Sequence, residues 1–222
     1  MSPPKMTLVK ICGLTNPGDA QMAMEAGADL LGFVNAERSP RYLTPDEISG
    51  IIAEIQPRVP TVMVTHSQEI DEILNSFEAA GADILQVHAP LQIDEYSEIK
   101  RRVPAVIANI PIDSKADKAT ETLKAKTSKV SEIVDYILFD TKFGKELGGT
   151  GVSYDWSVAA QLKAYSKKPI IIAGGLTPAN VAAAVRQVRP FAVDVSSGVE
   201  SEVGIKDPAK VTAFVKRAKA PV

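Results

Sequence analysis

The sequence predicts a (β/α)8 barrel, as a single domain over residues 1–222. Eight short apolar runs rich in β-branched residues alternate with longer amphipathic segments along the whole chain. Divided among eight units, the 222 residues give about 28 for each, enough for a strand, a helix and two short loops. Most of the runs are apolar on both faces, which is typical of a parallel sheet covered by helices.

An open, doubly wound sheet is the alternative fold for alternating strands and helices. Such a sheet usually has fewer than eight strands. The chain also has no G-x-G-x-x-G after its first strand, and no G-x-x-x-x-G-K-[ST] anywhere. The barrel is therefore the preferred prediction.

The strands are predicted from the apolar runs, in chain order. They cover residues 8–12, 30–34, 61–65, 84–88, 105–110, 136–140, 170–173 and 191–195.

Helix starts are predicted where a capping side chain precedes a proline at the first helical position. This pattern occurs at Asn16-Pro17, Thr44-Pro45, Thr177-Pro178 and Asp207-Pro208. Glu47 lies three residues after Thr44 and completes a capping box. The Lys-, Thr- and Ser-rich segment 114–128 is compatible with either a helix or a loop.

A short internal repeat marks two helix ends. The segment 26–31 (AGADLL) recurs as AGADIL at 80–85, two units further along the chain. In each copy the glycine, Gly27 or Gly81, is predicted to stop a helix just before the next strand.

Composition limits the kind of protein. The chain has 25 Lys and Arg against 27 Asp and Glu, for a net charge of −2, so nothing favours nucleic acid or an anionic membrane as a partner. Its single cysteine excludes an internal disulfide and a multi-cysteine zinc site. No apolar run is long enough to span a bilayer, and the start of the sequence, residues 1–5, lacks the apolar stretch of a signal peptide. We expect a cytosolic protein with a reduced thiol.

Three glycine-rich loops follow the last three predicted strands, where a barrel commonly binds phosphate. Glycine lets backbone N–H groups approach an anion closely, and serine hydroxyls add further donors. Each loop alone is equally well explained as a tight turn, but three in these places favour a phosphorylated ligand. The predicted binding residues are Gly149, Gly151, Gly174, Gly175, Ser196, Ser197 and Gly198.

Two residues at strand ends are candidates for acid–base chemistry. Cys12 ends the first strand, and a thiol with a pKa of about 8.5 needs only modest help to act as a base. A buried apolar cysteine is an equally good interpretation. Asp140 ends the sixth strand after four apolar residues, where an apolar wall raises a carboxyl pKa and suits a general acid. The alternative for Asp140 is a loop cap.

Arg41 lies on the loop after the second strand and suits bidentate recognition of a carboxylate. A solvated loop arginine is the alternative. Asp194 alternates with apolar residues in its strand, and it either holds a loop or pairs with a lysine such as Lys10, which alternates similarly in the first strand. Both residues are interpreted as structural first. His66 and His88 have no further ligand at metal-binding spacing, so neither a zinc site nor any other metal site is predicted.

Taken together, these segments resemble the phosphoribosylanthranilate isomerase family over nearly the whole chain. The matching motifs, in family order, are VKICGLT (9–15), GAD (27–29), LGFV (31–34), SPRY (39–42), QVH (86–88), FDT (139–141), GGTG (148–151), DW (155–156), AGGL (173–176) and DVSSGVE (194–200).

The resemblance implies a (β/α)8 barrel of tryptophan biosynthesis that catalyses an Amadori rearrangement without metal or cofactor. Asp140 would protonate the furanose ring oxygen of N-(5′-phosphoribosyl)anthranilate, and Cys12 would remove the C2′ proton. Arg41 would bind the anthranilate carboxylate, and the three glycine-rich loops would bind the phosphate. A monomer or a homodimer is expected.

Some positions depart from the family pattern. Ala89-Pro90 replaces the usual glycine after His88, and His66-Ser67 follows the third strand in place of the usual residues. The first alternative function is another phosphosugar isomerase, such as the histidine-pathway enzyme, but those barrels typically place Asp where this chain has Cys12. A non-catalytic barrel that binds a phosphorylated ligand is the second alternative, and the presence of both Cys12 and Asp140 argues against it.

Overall fold

The structure is a computed structural model that describes residues 6–56, 58–113, 115–116, 118–143, 146–147 and 155–221. Its strands, in chain order, are β1 Leu8–Ile11, β2 Leu30–Asn35, β3 Thr61–Thr65, β4 Ile84–Val87, β5 Val106–Asp113, β6 Tyr136–Phe143, β7 Glu146–Leu147, β8 Ile170–Ile172, β9 Ala192–Val195, β10 Glu200–Glu202 and β11 Ile205–Lys206. The α-helices are α1 Pro17–Glu25, α2 Pro45–Glu54, α3 Ile70–Ala80, α4 Ile93–Arg102, α5 Glu121–Val130, α6 Trp156–Lys163, α7 Val181–Val188 and α8 Pro208–Ala218.

Eight of the described strands close into a parallel barrel. The order around the ring is β5-β4-β3-β2-β1-β9-β8-β6, and β6 pairs with β5 to complete it. Each barrel strand matches one of the predicted apolar runs, so the predicted barrel is confirmed. The fifth and sixth strands are longer than predicted, because β5 and β6 stay paired as far as Asp113 and Lys142.

Most of the predicted helix ends are confirmed. The Asn16 side chain accepts the Asp19 N–H at 2.8 Å, and Thr44 forms the predicted capping box. The Asp207 side chain caps α8. Gly27 and Gly81 have φ of 95° and 64°, the left-handed conformation in which glycine ends a helix without strain.

Other helix ends needed the structure. Residues 121–130 of the ambiguous segment form α5, which Thr120 caps. The predicted start of a helix at Thr177-Pro178 is wrong, because α7 begins at Val181. The Asn180 side chain accepts the Thr177 N–H and donates to the Gly175 carbonyl, at 2.7 and 2.9 Å. These bonds hold residues 177–180 in a turn that ties α7 to the loop after β8.

The interior of the barrel differs from one end to the other. Towards the amino ends of the strands it is apolar, with a hollow lined mainly by Leu8, Leu30, Ile84, Ile107, Tyr136, Ile171 and Phe191. Towards the carboxyl ends it is polar, with buried Lys10, Gln86, Asn109, Asp140 and Asp194. We call these the amino end and the carboxyl end of the barrel. Among the helices that the structure describes, none is long and apolar enough to cross a membrane.

Candidate active site

A buried ion pair lies at the centre of the carboxyl end. Lys10 of β1 and Asp194 of β9 are neighbours in the strand register, and Lys10 Nζ donates to Asp194 Oδ2 at 3.0 Å. Burial alone would lower the pKa of Lys10, but the charges and hydrogen bonds of Asp194 and Cys12 together outweigh it, so the net pKa is raised. The lysine is therefore a permanent cation inside the barrel.

Cys12 follows β1 and is buried close to this cation. A Cβ on Gly32 of the neighbouring strand would lie 2.8 Å from Cys12 Sγ and 3.1 Å from Lys10 Cε, so both side chains pack over that glycine. Burial raises the pKa of the Cys12 thiol, and the charge and hydrogen bond of Lys10 oppose only part of that rise. Without a substrate, Cys12 is thus a neutral thiol beside a positive charge.

Asp140 lies in β6 and is only 7% exposed. Burial raises its pKa to about 7, although the Thr141 N–H, which donates to Asp140 Oδ1 at 2.7 Å, favours the charged form. A carboxyl with this pKa still carries a proton at neutral pH in about half of the molecules. The predicted rise in the pKa of Asp140 agrees with its buried position.

The ring order separates Cys12 and Asp140 by unequal arcs. On the short arc, β9 and β8 lie between their strands, while the long arc contains β2, β3, β4 and β5. The charges of Lys10 and Asp194 act on both residues. The ion pair therefore lies within electrostatic reach of the thiol and of the carboxyl.

The loops after β8 and β9 lie on the short arc and touch each other. A Cβ on Gly198 would collide with the Leu176 carbonyl, and one on Gly174 would collide with Thr141. Gly174 and Gly175 have φ of 87° and 62°. Close contact and backbone conformation thus both require glycine here.

These two loops present backbone donors. The N–H groups of Gly174, Gly175 and Ser196 have no backbone or side-chain acceptor among the described residues. Ser197 and Gly198 begin a short 3-10 helix directly after them. Such groups suit an anion. Gly149 and Gly151, the third predicted part of the phosphate site, lie outside the described residues.

Arg41 is buried, so the alternative of a solvated loop arginine is wrong. It is 9% exposed, and its guanidinium makes two hydrogen bonds to Glu200, from Nε at 2.7 Å and from Nη2 at 2.6 Å. These bonds raise the pKa of Arg41. Its side chain lies over Gly13, where an added Cβ would be 2.5 Å from Arg41 Cδ. The structure thus brings Arg41 next to Cys12.

Two histidines stack on the long arc. The rings of His66 and His88, which follow β3 and β4, are 5.1 Å apart and inclined by 10°. The side-chain amides of Gln86 and Asn109 lie 2.6 and 3.2 Å from the two ring nitrogens of His88. Burial lowers the pKa of His88 to about 3, so its ring is neutral. A flat, uncharged ring pair therefore lines the carboxyl end of the barrel on the side opposite the glycine loops.

Sequence reasoning did not single out Glu200 or Lys206 as site residues. The contact of Glu200 with Arg41 joins positions 159 apart in the chain, and the only signal in the sequence was the place of Glu200 in the DVSSGVE motif and of Lys206 shortly after it. The stacking of His66 was also missed, because the two histidines belong to different strands. Among the described residues, no group of three or more His, Cys, Asp and Glu side chains is arranged to hold a metal ion.

A parallel barrel with a protonated carboxyl, a thiol and amide-lined loops at its carboxyl end has the features of an acid–base enzyme. A family model described as N-(5′-phosphoribosyl)anthranilate (PRA) isomerase matches residues 9–217. The N-(5′-phosphoribosyl)anthranilate isomerase of Methanothrix thermoacetophila is 42% identical over 97% of this chain and 99% of its own.

Solved structures agree with the sequence matches. A phosphoribosylanthranilate isomerase in complex with reduced 1-(o-carboxyphenylamino)-1-deoxyribulose 5-phosphate has a TM-score of 0.83 at 34% identity, covering 97% of this chain and 100% of its own. A monomeric form of the dimeric enzyme from Thermotoga maritima has the same TM-score and coverage at 33% identity. The chain belongs to the N-(5′-phosphoribosyl)anthranilate isomerase family, the aldose–ketose isomerases of tryptophan biosynthesis.

Proposed function

We propose that Asp140 and Cys12 are the general acid and general base of the Amadori rearrangement of N-(5′-phosphoribosyl)anthranilate to 1-(2-carboxyphenylamino)-1-deoxyribulose 5-phosphate. The observation that carries this proposal is the buried Asp140, whose pKa is raised to about 7, on a strand that β9 and β8 separate from the strand of Cys12. An aldose-to-ketose shift needs one proton donor and one proton acceptor at separate atoms of the sugar.

In the first step, Asp140 gives its proton to the furanose ring oxygen. The bond from that oxygen to C1′ breaks, and the nitrogen lone pair forms the C=N bond of a protonated Schiff base. A carboxyl with a pKa of about 7 suits this step, because a general acid is most effective when its pKa lies near the working pH.

In the second step, the Cys12 thiolate takes the proton from C2′. The electron pair of the C–H bond forms a C1′=C2′ double bond, the Schiff base nitrogen becomes an amine, and the resulting enolamine tautomerises to the ketone. Lys10 stabilises the thiolate by its charge, which Asp194 keeps in place.

The ring arcs give the substrate an orientation. Phosphate would bind the backbone donors of Gly174, Gly175 and residues 196–198 on the short arc, together with Gly149 and Gly151. The anthranilate ring would then extend past Arg41 towards the histidine pair on the long arc. Anchoring the two ends places C1′ and C2′ over the centre of the mouth, between acid and base.

The order of the two pKa values has a kinetic consequence. The productive form needs Asp140 protonated and Cys12 ionised, although the thiol has the higher pKa. This form is a constant minority between the two pKa values, and its fraction falls below about pH 7 because the thiolate is lost.

The test follows the loss of the fluorescence of the substrate's anthranilate group. We expect the wild type to turn over in the presence of a chelator. Because a general acid or base contributes about 10²–10⁴-fold, Asp140→Asn and Cys12→Ala should each lower kcat by that factor while still binding product. Asp113→Asn is the matched control, since Asp113 also accepts a backbone N–H but is exposed at the end of β5.

The pH profile adds a check on the assignment. We expect kcat/KM of the wild type to fall about tenfold per pH unit below about pH 7, and to be flat above it until the thiol titrates. In Asp140→Asn the break near pH 7 should disappear. Near-wild-type kcat in either variant, or activity only after a metal is added, would contradict the proposal.

We further propose a cytosolic location and a phosphorylated small molecule as the ligand, with neither nucleic acid nor a membrane as partner. The near-neutral charge supports the absence of a nucleic-acid partner. Either a monomer or a homodimer is compatible with this function, and a relative from Thermotoga maritima is described as dimeric.

A further inference from the structure

Arg41, Glu200 and Lys206 form a buried chain of charges that the acid–base mechanism does not use. Glu200 Oε1 accepts from Arg41 Nε and from Lys206 Nζ, each at 2.7 Å, and Oε2 accepts from Arg41 Nη2 at 2.6 Å. Lys206 Nζ lies 3.4 Å from the Ser196 carbonyl as well. The carboxylate therefore holds the arginine from one side and is itself held by the lysine.

The three side chains are firmly enclosed. Arg41, Glu200 and Lys206 are 9, 8 and 2% exposed. Burial would raise the pKa of Glu200, but the hydrogen bonds from Arg41 and Lys206 outweigh it and lower the pKa overall. The carboxylate is therefore ionised at neutral pH.

The group formed by Arg41, Glu200 and Lys206 lies next to the proposed substrate site. Arg41 lies over Gly13, where an added Cβ would be 2.5 Å from Arg41 Cδ and 2.7 Å from Ser196 Oγ. The Arg41 side chain and the start of the loop after β9 therefore both lie against the residue that follows Cys12. The lysine is attached to the same loop through the Ser196 carbonyl.

The charges of Arg41, Glu200 and Lys206 do not cancel one another. Two cations surround one carboxylate, which leaves one positive charge for a ligand. Two of the three guanidinium nitrogens, Nε and Nη2, are directed at Glu200, and Nη1 lies outside this pair. A flexible arginine loses several rotamers when it binds an anion, whereas one held in this way has already lost them.

We propose that Glu200 and Lys206 are positioning residues that fix the Arg41 guanidinium for the substrate's aromatic carboxylate, and so set the enzyme's preference for a 2-carboxyphenyl group. This inference rests on the proposed role of Arg41 as the carboxylate-binding residue. Neither Glu200 nor Lys206 touches the sugar in this scheme.

The test compares two ligands in several variants. One ligand is reduced 1-(o-carboxyphenylamino)-1-deoxyribulose 5-phosphate, and the other is its phenylamino counterpart without the carboxyl group. In the wild type we expect the carboxylate to improve affinity on the order of 100-fold, the usual gain from charge-assisted hydrogen bonds. In Arg41→Met the two affinities should be nearly equal.

In Glu200→Gln we expect the carboxylate's advantage to fall by about tenfold or more, while affinity for the ligand without carboxylate is unchanged. KM should rise in this variant, and kcat at saturation should stay within a few fold of wild type. Glu202→Gln is the matched control, because Glu202 lies two residues further along β10 and is exposed.

Two further variants keep the test independent of folding. Glu200→Asp shortens the carboxylate but keeps its charge, and should restore part of the advantage. Lys206→Met should reduce the advantage because Glu200 loses its second partner. These variants carry the comparison if thermal unfolding shows that Glu200→Gln is not folded.

The outcomes separate the two proposals. If Arg41→Met keeps the full carboxylate advantage, the proposed role of Arg41 is wrong. If Arg41→Met loses it but the Glu200 and Lys206 variants keep it, Arg41 binds the carboxylate without their help and the positioning role is overturned. A larger advantage in Glu200→Gln would overturn it too, because Glu200 would then be a competitor for the guanidinium.

Discussion

The two ends of the barrel interior are built from the same eight strands but in opposite ways. At the amino end, apolar side chains such as Leu30, Ile84 and Ile107 face one another around a hollow. At the carboxyl end, the same strands continue into Gln86 and Asn109, and into the ion pair of Lys10 with Asp194. A step of two residues along a strand is enough to pass from the apolar part of the interior to the polar part.

This difference shows which end supplies stability and which end supplies chemistry. Buried polar atoms at the carboxyl end, including Thr141 Oγ1 and Asp194 Oδ1, have no hydrogen-bond partner among the described residues. The carboxyl end thus concentrates buried polar groups, as expected where a fold accommodates a site, while the amino end is packed with apolar side chains.

Replacing the buried ion pair of the carboxyl end with apolar residues should have the largest effect on the difference between the two ends. We expect the double variant Lys10→Met/Asp194→Leu to lower kcat on the order of 10²-fold, because Cys12 loses the cation that stabilises its thiolate. Stability should be unchanged or higher by about 1–4 kcal/mol, as when an apolar pair replaces a buried ion pair. Steady-state kinetics and denaturant unfolding measure the two effects.

The control for the double variant is the same exchange at an exposed pair. Lys167 and Glu132 lie 2.8 Å apart with side chains 65 and 56% exposed, so Lys167→Met/Glu132→Leu should change neither property appreciably. Full activity of the buried double variant would show that the pair serves the fold alone.

A cavity at the amino end should have the opposite effect. Ile107 is fully buried and lines the hollow, so Ile107→Ala is expected to lower the free energy of unfolding by about 3 kcal/mol. In the folded protein kcat should stay within a factor of about two, because the site lies at the other end. Ile205→Ala, at an isoleucine that is 46% exposed, is the control. A loss of kcat comparable to that of the double variant would mean that the two ends are coupled.

The buried carboxyl of Asp140 gives a smaller effect that depends on pH. Its pKa is about 7 in the folded protein and about 3.9 in an unfolded chain, so the folded state binds the proton more tightly. The contribution of Asp140 to stability is therefore highest below about pH 4, falls as pH rises through this window, and is lowest above about pH 7.

Asparagine mimics the protonated form and can accept the same Thr141 N–H. Asp140→Asn should therefore be more stable than wild type by about 2 kcal/mol at pH 8, and equal to it near pH 4. Denaturant unfolding at both pH values checks this, with Asp113→Asn, at an exposed carboxylate, as the control. If Asp140→Asn were the less stable protein at pH 8, the carboxylate would be better solvated than its burial indicates.

Local sequence signals predicted the barrel well and the site only partly. Apolar runs and capping side chains act over a few residues, which is why the strands and most helix starts were found. The start of α7 was wrong because the Asn180 amide bonds to Thr177 and Gly175 instead of leaving Thr177 as the cap. A local pattern does not show which competing hydrogen bond forms.

The contacts that define the site are mostly between distant parts of the chain. Arg41 and Glu200 are 159 positions apart, and no periodicity links them. The pairing of Lys10 with Asp194, one of the two roles considered for Asp194, is confirmed by their hydrogen bond. Each residue alternates with apolar residues in its own strand, which places both inside the barrel. The burial of Arg41 had no such signal, since its loop looks polar in sequence.

The state of Cys12 in the free protein has a consequence for oxidation. Oxidants attack the thiolate, and a thiol that is 8% exposed with a raised pKa offers little of it. The chain has no second cysteine to convert a sulfenic acid into an internal disulfide, so damage at this position would have no intramolecular route of repair. The same burial that keeps the proposed base protonated in the resting protein therefore also protects it between turnovers.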